Sequence, residues 1–348
     1  MVFNTTSAEV LDRSLAVSTH FGFLKQLSYA CIGLCLGFVV YYCHYQRIVQ
    51  ASTFLFGICC VLLVLVLIPG ISHEVNGAKR WIHFAGVSFQ PSEFAKYIIP
   101  MYAIFWVTSQ KEKINLSRFL QLLARLSIPI FLILLEPDNG TVLIVLATLV
   151  MLFWLTKIPY SYWALPLIIL SLIGGVAAYN MPYVKARIRV YLNPELDLKG
   201  KGHQPHQSKI AAGSGRLFGR GLGESLQKLN YLPEARSDYI AAIYAEEFGF
   251  LGMIVLIGTY MVIASAGFFI AAHSIDLRGF YLAAIFTFLL VFQAFLNLGV
   301  VSGLLPSKGT TLPFFSQGGS SLIVNIVAIF MLLNIAQTTR KKKKSRLT

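Results

Sequence analysis

Charge is what this sequence has least of. Aspartate, glutamate, lysine and arginine make up 13% of its 348 residues, about half of the quarter that a water-soluble domain of this length carries on its outer shell. With 56% apolar residues and a mean hydropathy of +0.67, most of the surface is expected to meet lipid. Cysteine is also sparse. Cys31, Cys35, Cys43, Cys59 and Cys60 all sit in or beside apolar runs, where they read as small hydrophobes and exclude a disulfide framework or a zinc site. No Walker or Rossmann signature occurs, which argues against nucleotide-driven chemistry. Residues 1–26 are polar and contain no secretory signal.

What the chain does have is long apolar runs. Stretches able to cross a bilayer, about 17–25 residues each, fall at 27–43, 51–69, 93–109, 119–135, 140–156, 162–180, 240–270, 280–300 and 318–338. Lipid offers no partner for backbone polar groups, so these nine spans are expected to be helices. The fold class is therefore all-α, a polytopic transmembrane bundle forming a single membrane domain. The net charge of +14 is concentrated in part in the tail at 339–348, with Arg340, Lys341, Lys342, Lys343, Lys344 and Arg346. Beside a span, such a run reads as a cytoplasmic stop signal and not as a nucleic-acid patch.

With that tail inside, alternation places 110–118 inside and 70–92, 136–139, 181–239 and 301–317 outside. The large 181–239 loop carries ten Lys and Arg residues, on the side that the positive-inside rule disfavours, although long loops translocate with less regard for charge. Residue 1 also falls outside, which suggests a helix upstream of this chain.

Of the fifteen acidic residues, nine gather at the outer boundary: Glu74, Glu93, Glu136, Asp138, Glu224, Glu234, Asp238, Glu246 and Glu247. Acids at or below the lipid boundary are costly, which makes them functional candidates. Asp238 precedes a long apolar helix, and by residue type alone a helix cap is its simpler reading. Glu246 and Glu247 lie two turns deeper, where packing glue is the simpler role, with Glu246 the better supporting residue for Asp238.

The outer cations fall into three groups: Lys79 and Arg80 with Lys96; Lys185, Arg187 and Arg189; and Lys308. They suit a lipid-linked diphosphate at the water boundary, or ordinary lipid headgroups. GSGRLFGRGLG (213–223) resembles a phosphate loop only superficially, because it lacks the Gly-Lys-Ser/Thr ending. FSQGGSSL (315–322) opens a span, so Ser316, Gly318, Gly319 and Ser320 could offer donors to an anion or permit close helix packing.

Taken in order, five runs resemble the FtsW/RodA/SpoVE (SEDS) family: VNGAKRWIHFAGVSFQPSEFAK (75–96), EPDNGTVLIV (136–145), LNPELD (192–197), GRLFGRGLGESLQKLNYLPEARSDYIAAIYAEEFGFLG (215–252) and NLGVVSGLLPSKGTTLPFFSQGGSS (297–321). LNYLPEARSD is closer to the division and sporulation branch. The resemblance implies ten spans, of which the first is missing here, and peptidoglycan glycosyltransferase activity at the extracytoplasmic face of the bacterial inner membrane, at the division septum. It implies Asp238 as the essential aspartate, overriding the cap reading, and Arg80, Lys96 and Lys308 as family basic positions. The implied partners are lipid II and the undecaprenyl-pyrophosphate-linked glycan, a class B penicillin-binding protein and other divisome proteins. Glu136, His203 and Arg236 depart from the family's usual glutamine, tyrosine and histidine.

The expected chemistry is an inverting transfer. Asp238 is the general base on the 4-hydroxyl of lipid II, and undecaprenyl pyrophosphate leaves against Arg80, Lys96, Lys308, Arg187 and Arg189. No cofactor is required by the sequence, and a divalent cation, Mg or Mn, is the one candidate. The rival readings are a lipid II flippase, which would need polar groups through the bilayer and not collected at one boundary, and a scaffold that recruits the transpeptidase.

Overall fold

A computed structural model describes residues 21–70, 72–75, 78–84, 87–168, 191, 202–226, 237–306 and 309–345. Ten named helices carry these residues: α1 (Phe21–Tyr42), α2 (Tyr45–Gln50), α3 (Ser52–Leu67), α4 (Pro91–Ser109), α5 (Leu116–Leu135), α6 (Asn139–Leu155), α7 (His203–Ser214), α8 (Ile240–Ala272), α9 (Leu277–Val301) and α10 (Gly319–Ser345). Five described stretches are long and apolar enough to cross a membrane: Gly22–Tyr42, Leu116–Leu135, Ile240–Ala272, Leu277–Val301 and Gly319–Lys342. Ser52–Leu67 and Asn139–Leu155 are shorter apolar helices. Of the expected span at 162–180, only the start, helical over 160–168, is described.

The chain divides into two compact units, one of Tyr29–Leu165, Ile263–Leu290 and Gly319–Thr348, the other of Met1–Ser28, Pro166–Val262 and Val291–Gly318. In the first, α4 is the central helix. Pro91 at its start costs nothing, because that N–H has no helical partner in any case. Helices α3, α5, α6 and α10 pack around it, and Ala95, Ile99, Ala103 and Ile104 are fully buried. Buried polar side chains tie this unit together. Tyr97 donates to Asn325 at 2.8 Å. The Asn334 amide donates to the carbonyls of Val40 and Tyr41 at 2.8 Å, which are orphan acceptors at the end of α1.

The segment before α4, expected from the sequence to lie outside, is not all irregular, as a purely helical reading expects. It holds an antiparallel sheet, β1 (Ser72–Val75), β2 (Ala78–Phe84) and β3 (Val87–Phe89), in the order β1-β2-β3. Val75 pairs with Ala78 and Ile82 with Phe89. Asn-Gly, the dipeptide with the strongest hairpin tendency, separates β1 from β2 in the sequence. The sheet matters because β2 carries Arg80.

In the second unit the main feature is a break in α8. Gly249 has φ 65° and ψ −161°, a region open to glycine and costly for any side chain. The break leaves backbone groups without helical partners, and residues 216–221 supply them. The amides of Arg220 and Gly221 donate to the carbonyls of Glu246 and Glu247 at 3.0 and 3.1 Å, and the amides of Phe250 and Leu251 donate to the carbonyls of Arg216 and Leu217 at 2.9 and 3.2 Å. The approach is so close that a Cβ on Gly249 would lie 2.7 Å from the Leu217 carbonyl oxygen and 2.8 Å from that of Gly215. GSGRLFGRGLG is therefore a strap that completes a broken helix.

Gly249→Ala is expected to destabilise the purified protein by at least about 1–3 kcal/mol. Gly258→Ala, on the same helix with open space at its Cβ, should leave thermal unfolding unchanged. A differential scan of both variants in one detergent checks the pair.

Candidate active site

Asp238 stands two residues before α8 and is half-buried. Its main chain is held from two sides. Asn297 Nδ2 donates to the Asp238 carbonyl at 2.8 Å and to the Thr310 carbonyl at 2.6 Å. Ser316 Oγ donates to the Ser237 carbonyl at 2.5 Å and accepts from the Leu312 amide at 2.7 Å. One turn before Asn297, Gln293 Nε2 grips the Thr311 carbonyl at 2.8 Å. Gln293 and Asn297 thus share one face of α9 and fasten the 310–312 segment beside Asp238.

Gly309 completes the setting. A Cβ there would lie 3.0 Å from Asp238 Oδ2, so the loop backbone lies directly against the carboxylate. Two buried atoms in this cluster, Asn297 Oδ1 and Thr310 Oγ1, have no hydrogen-bond partner among the described residues.

Glu246 is buried on the short α8 segment between Asp238 and the break. It accepts from Ser225 Oγ at 2.5 Å and from the Leu226 amide at 3.3 Å, and lies 3.7 Å from Arg220 Nε. It therefore ties the strap to the helix that follows Asp238. Glu247 is equally buried, and its carbonyl takes the Gly221 amide.

The first unit gathers a separate polar layer at the start of α4. Arg80 Nε donates to the Glu136 carbonyl at 2.9 Å, and Nη2 donates to the Pro137 carbonyl. Arg80 thereby fixes the turn between α5 and α6. Asp138 caps α6 through the Thr141 amide at 3.2 Å and Thr141 Oγ1 at 2.8 Å, and also accepts from Ser92 at 3.2 Å and Gln90 at 3.3 Å. Ser320 Oγ accepts from the Gln90 amide at 2.9 Å, and Gly319 lies flat against the Tyr29 ring. Lys96, expected as an outer cation, is buried and paired with Glu93 at 2.5 Å. These two lie one turn apart on α4, so the carboxylate offsets the cost of burying the ammonium.

Glu136 is different. It has no exposure, and neither carboxylate oxygen has a hydrogen-bond partner among the described residues. Burial first, and Asp138 second, push its pKa up to about 8, while Arg80 pulls the other way. Asp138, two residues on, has four donors, whereas Glu136 has none among the described residues.

Of the residues named from sequence, Asp238, Glu246 and Ser316 fall together in the second unit, and Arg80, Lys96, Gly319 and Ser320 in the first. Gly318 is half-buried. Arg187, Arg189 and Lys308 lie outside the described residues. The hydroxyls of Ser316 and Ser320 are engaged with the protein backbone, which suits positioning as much as ligand binding. Sequence reasoning missed Asn297, Gln293, Thr310 and Gly309. The usable signal was two amide side chains four residues apart near the end of an apolar span, since polar groups there are rarely idle.

A family model for cell cycle proteins of the FtsW, RodA and SpoVE type matches residues 1–341. A protein of Trichlorobacter lovleyi named as a probable peptidoglycan glycosyltransferase FtsW is 40% identical over 323 residues, covering 90% of this chain and 83% of its own. One of Alcanivorax borkumensis with the same name is 38% identical over 99% of this chain and 91% of its own. Among solved structures, a chain from work on polymerization and crosslinking by a peptidoglycan synthase complex superposes with a TM-score of 0.77 at 26% identity, covering 97% of this chain and 95% of its own. The rod shape determining protein RodA of Thermus thermophilus gives 0.67 at 25% identity, covering 96% and 93%.

The raised Glu136 pKa has a definite consequence for stability. Below the unfolded value near 4.5 the side chain is neutral in both states. As pH rises toward about 8, the unfolded chain ionises while the folded one holds its proton, so stability falls. Glu136→Gln should therefore match the wild type in thermal stability near pH 4, exceed it increasingly up to pH 8, and keep a constant advantage above. Unfolding scans of both proteins across that range check it.

Proposed function

The chain belongs to the FtsW/RodA/SpoVE family of cell cycle proteins, and from that premise we propose that it is a peptidoglycan glycosyltransferase that polymerises lipid II into glycan strands. Asp238 is the general base. It takes the proton from the 4-hydroxyl of the lipid II N-acetylglucosamine, and that oxygen attacks the anomeric carbon of the growing strand with inversion. The bond from that carbon to the diphosphate breaks, and undecaprenyl pyrophosphate departs with the electron pair.

One observation carries the assignment. The main chain at 237–238 is fixed by Asn297 and Ser316, and glycine backbone lies against the Asp238 carboxylate. A positioned base contributes roughly 10²–10⁴-fold, and that contribution depends on holding the carboxylate within reach of a proton. The remainder of the barrier is met by stabilising the leaving diphosphate. Arg80, Lys96, Lys308, Arg187 and Arg189 are the proposed cations, and Gly318, Gly319, Ser316 and Ser320 are the proposed substrate contacts. Lys96 would act with its charge partly compensated by Glu93. Among the described residues no three His, Cys, Asp or Glu side chains converge as metal ligands. An Mg or Mn ion that assists would offset charge on the leaving diphosphate.

The partner of this reading is a class B penicillin-binding protein, whose transpeptidation would crosslink the strands made here. What supports it is the similarity to a chain from a peptidoglycan synthase complex. The proposed place of action is the extracytoplasmic face of the inner membrane at the division septum.

Two variants test the chemistry in a lipid II polymerisation assay with the co-purified transpeptidase. Asp238→Asn should abolish the glycan ladder, lowering the rate by at least about 10²-fold. A wild-type rate from this variant would remove the base and return the flippase reading. Asn297→Ala, which releases the carbonyls of Asp238 and Thr310, should lower kcat by up to about 10²-fold through misplacement of the base.

A further inference from the structure

The strap that repairs α8 exposes more apolar surface than a water-facing loop has reason to. Within residues 215–226, Leu217 is 59% exposed, Phe218 79% and Leu222 72%. The backbone bonds that join the strap to the helix also fix where these side chains lie. The Leu217 carbonyl takes the Leu251 amide, and the Arg216 carbonyl takes that of Phe250. Phe250 and Leu251 begin the exposed apolar face that continues along the span through Ile254 and Val255, at 58%, 48%, 50% and 64% exposure. Leu217 and Phe218 are therefore level with the first turn of that face and extend it sideways. Arg216 and Arg220, both exposed, flank the apolar pair. Large apolar side chains bordered by arginines form the pattern of an interfacial anchor, with apolar groups among acyl chains and guanidinium groups at the phosphates.

We propose that residues 215–226 form a wedge seated in the lipid leaflet nearest Asp238, with Leu217, Phe218 and Leu222 among the acyl chains and Arg216 at the phospholipid phosphates. The occupant of this surface is phospholipid because the patch is continuous with the lipid-facing side of α8 and its cations complement anionic headgroups. The wedge is not a passive float. Its backbone is bonded to Glu246 and Glu247, and its Ser225 is bonded to the Glu246 carboxylate. The short segment between Asp238 and Gly249 is thus held at a height set by the leaflet. On the reading of Asp238 as the base, that height is where a lipid-linked sugar is presented.

Spin labelling tests the wedge without recourse to activity. Cys31, Cys35, Cys43, Cys59 and Cys60 are replaced by alanine, and a single cysteine is placed at Phe218, Val255 or, in the exposed turn between α4 and α5, Lys111. The labelled chains are reconstituted in phosphatidylethanolamine–phosphatidylglycerol nanodiscs. Power saturation then compares collisions with oxygen, which partitions into lipid, against those with a water-soluble nickel chelate. The label at 218 should favour oxygen, as the lipid-facing control at 255 does, while the exposed control at 111 favours nickel. A nickel preference at 218 would overturn the proposal. Suppression of both collisions would mean a protein surface covers the loop, and would overturn it as well. Leu222→Cys reads the same depth independently if the 218 variant does not purify. Because Asp238 is unchanged throughout, failure here leaves the assignment of the base untouched.

Discussion

A hydrogen-bonding group of the backbone that loses its partner near the hydrocarbon region has no water to turn to. Every departure from helix must therefore be answered by another part of the chain. The departure at Gly249 is the one on which the second unit depends. It ends the helical segment that follows Asp238, and the two amides and two carbonyls it would orphan are met by the 216–221 backbone. The glycines of the strap follow from this contact. A side chain at Gly219 would collide with the Glu247 carbonyl, and one at Gly215 with that of Ala245. Conformational freedom and close approach are both in use, and neither relates to phosphate binding.

From that break the organisation of the Asp238 site follows. The short segment from Ile240 to the break is tied to the strap through Glu246, while its leading end is gripped by Asn297 and Ser316. Asp238 is therefore fixed through its main chain. The first unit uses a different device. Its polar layer is built on Asp138, which caps α6 and accepts from Gln90 and Ser92 at the start of α4, with Arg80 locking the turn before α6. Among the described residues Glu136 is the member of this layer left without donors, and burial raises its pKa.

Much of the architecture was legible because lipid makes helices nearly obligatory for long apolar runs. The positions of α1, α3, α5, α6, α9 and α10 follow from hydropathy alone. The sheet at 72–89 was not legible as strands, because short strands owe their existence to pairing partners and not to periodicity. The break in α8 was hidden inside a continuous apolar run, in which Gly249 looks like any other glycine. As the proposed base, Asp238 is suggested by family resemblance and only weakly by chemistry, since an aspartate before a helix is also a cap. The Lys96–Glu93 pairing could have been read from their spacing of three, which grouping Lys96 with the outer cations overlooked. Asn297 and Gly309 were not legible from charge, because what surrounds Asp238 is an amide on its carbonyl and a bare backbone beside its carboxylate.

The central claim is that Asp238 is aimed at a sugar hydroxyl. The most direct measurement is a structure of the Asp238→Asn chain with lipid II bound, with the distance read from the Asn carboxamide to the 4-hydroxyl oxygen of N-acetylglucosamine. The account predicts about 2.6–3.2 Å, with Asn297 still on the carbonyl of residue 238. A lipid II sugar bound elsewhere, or a carboxamide turned away from the hydroxyl with the main chain unmoved, would contradict it.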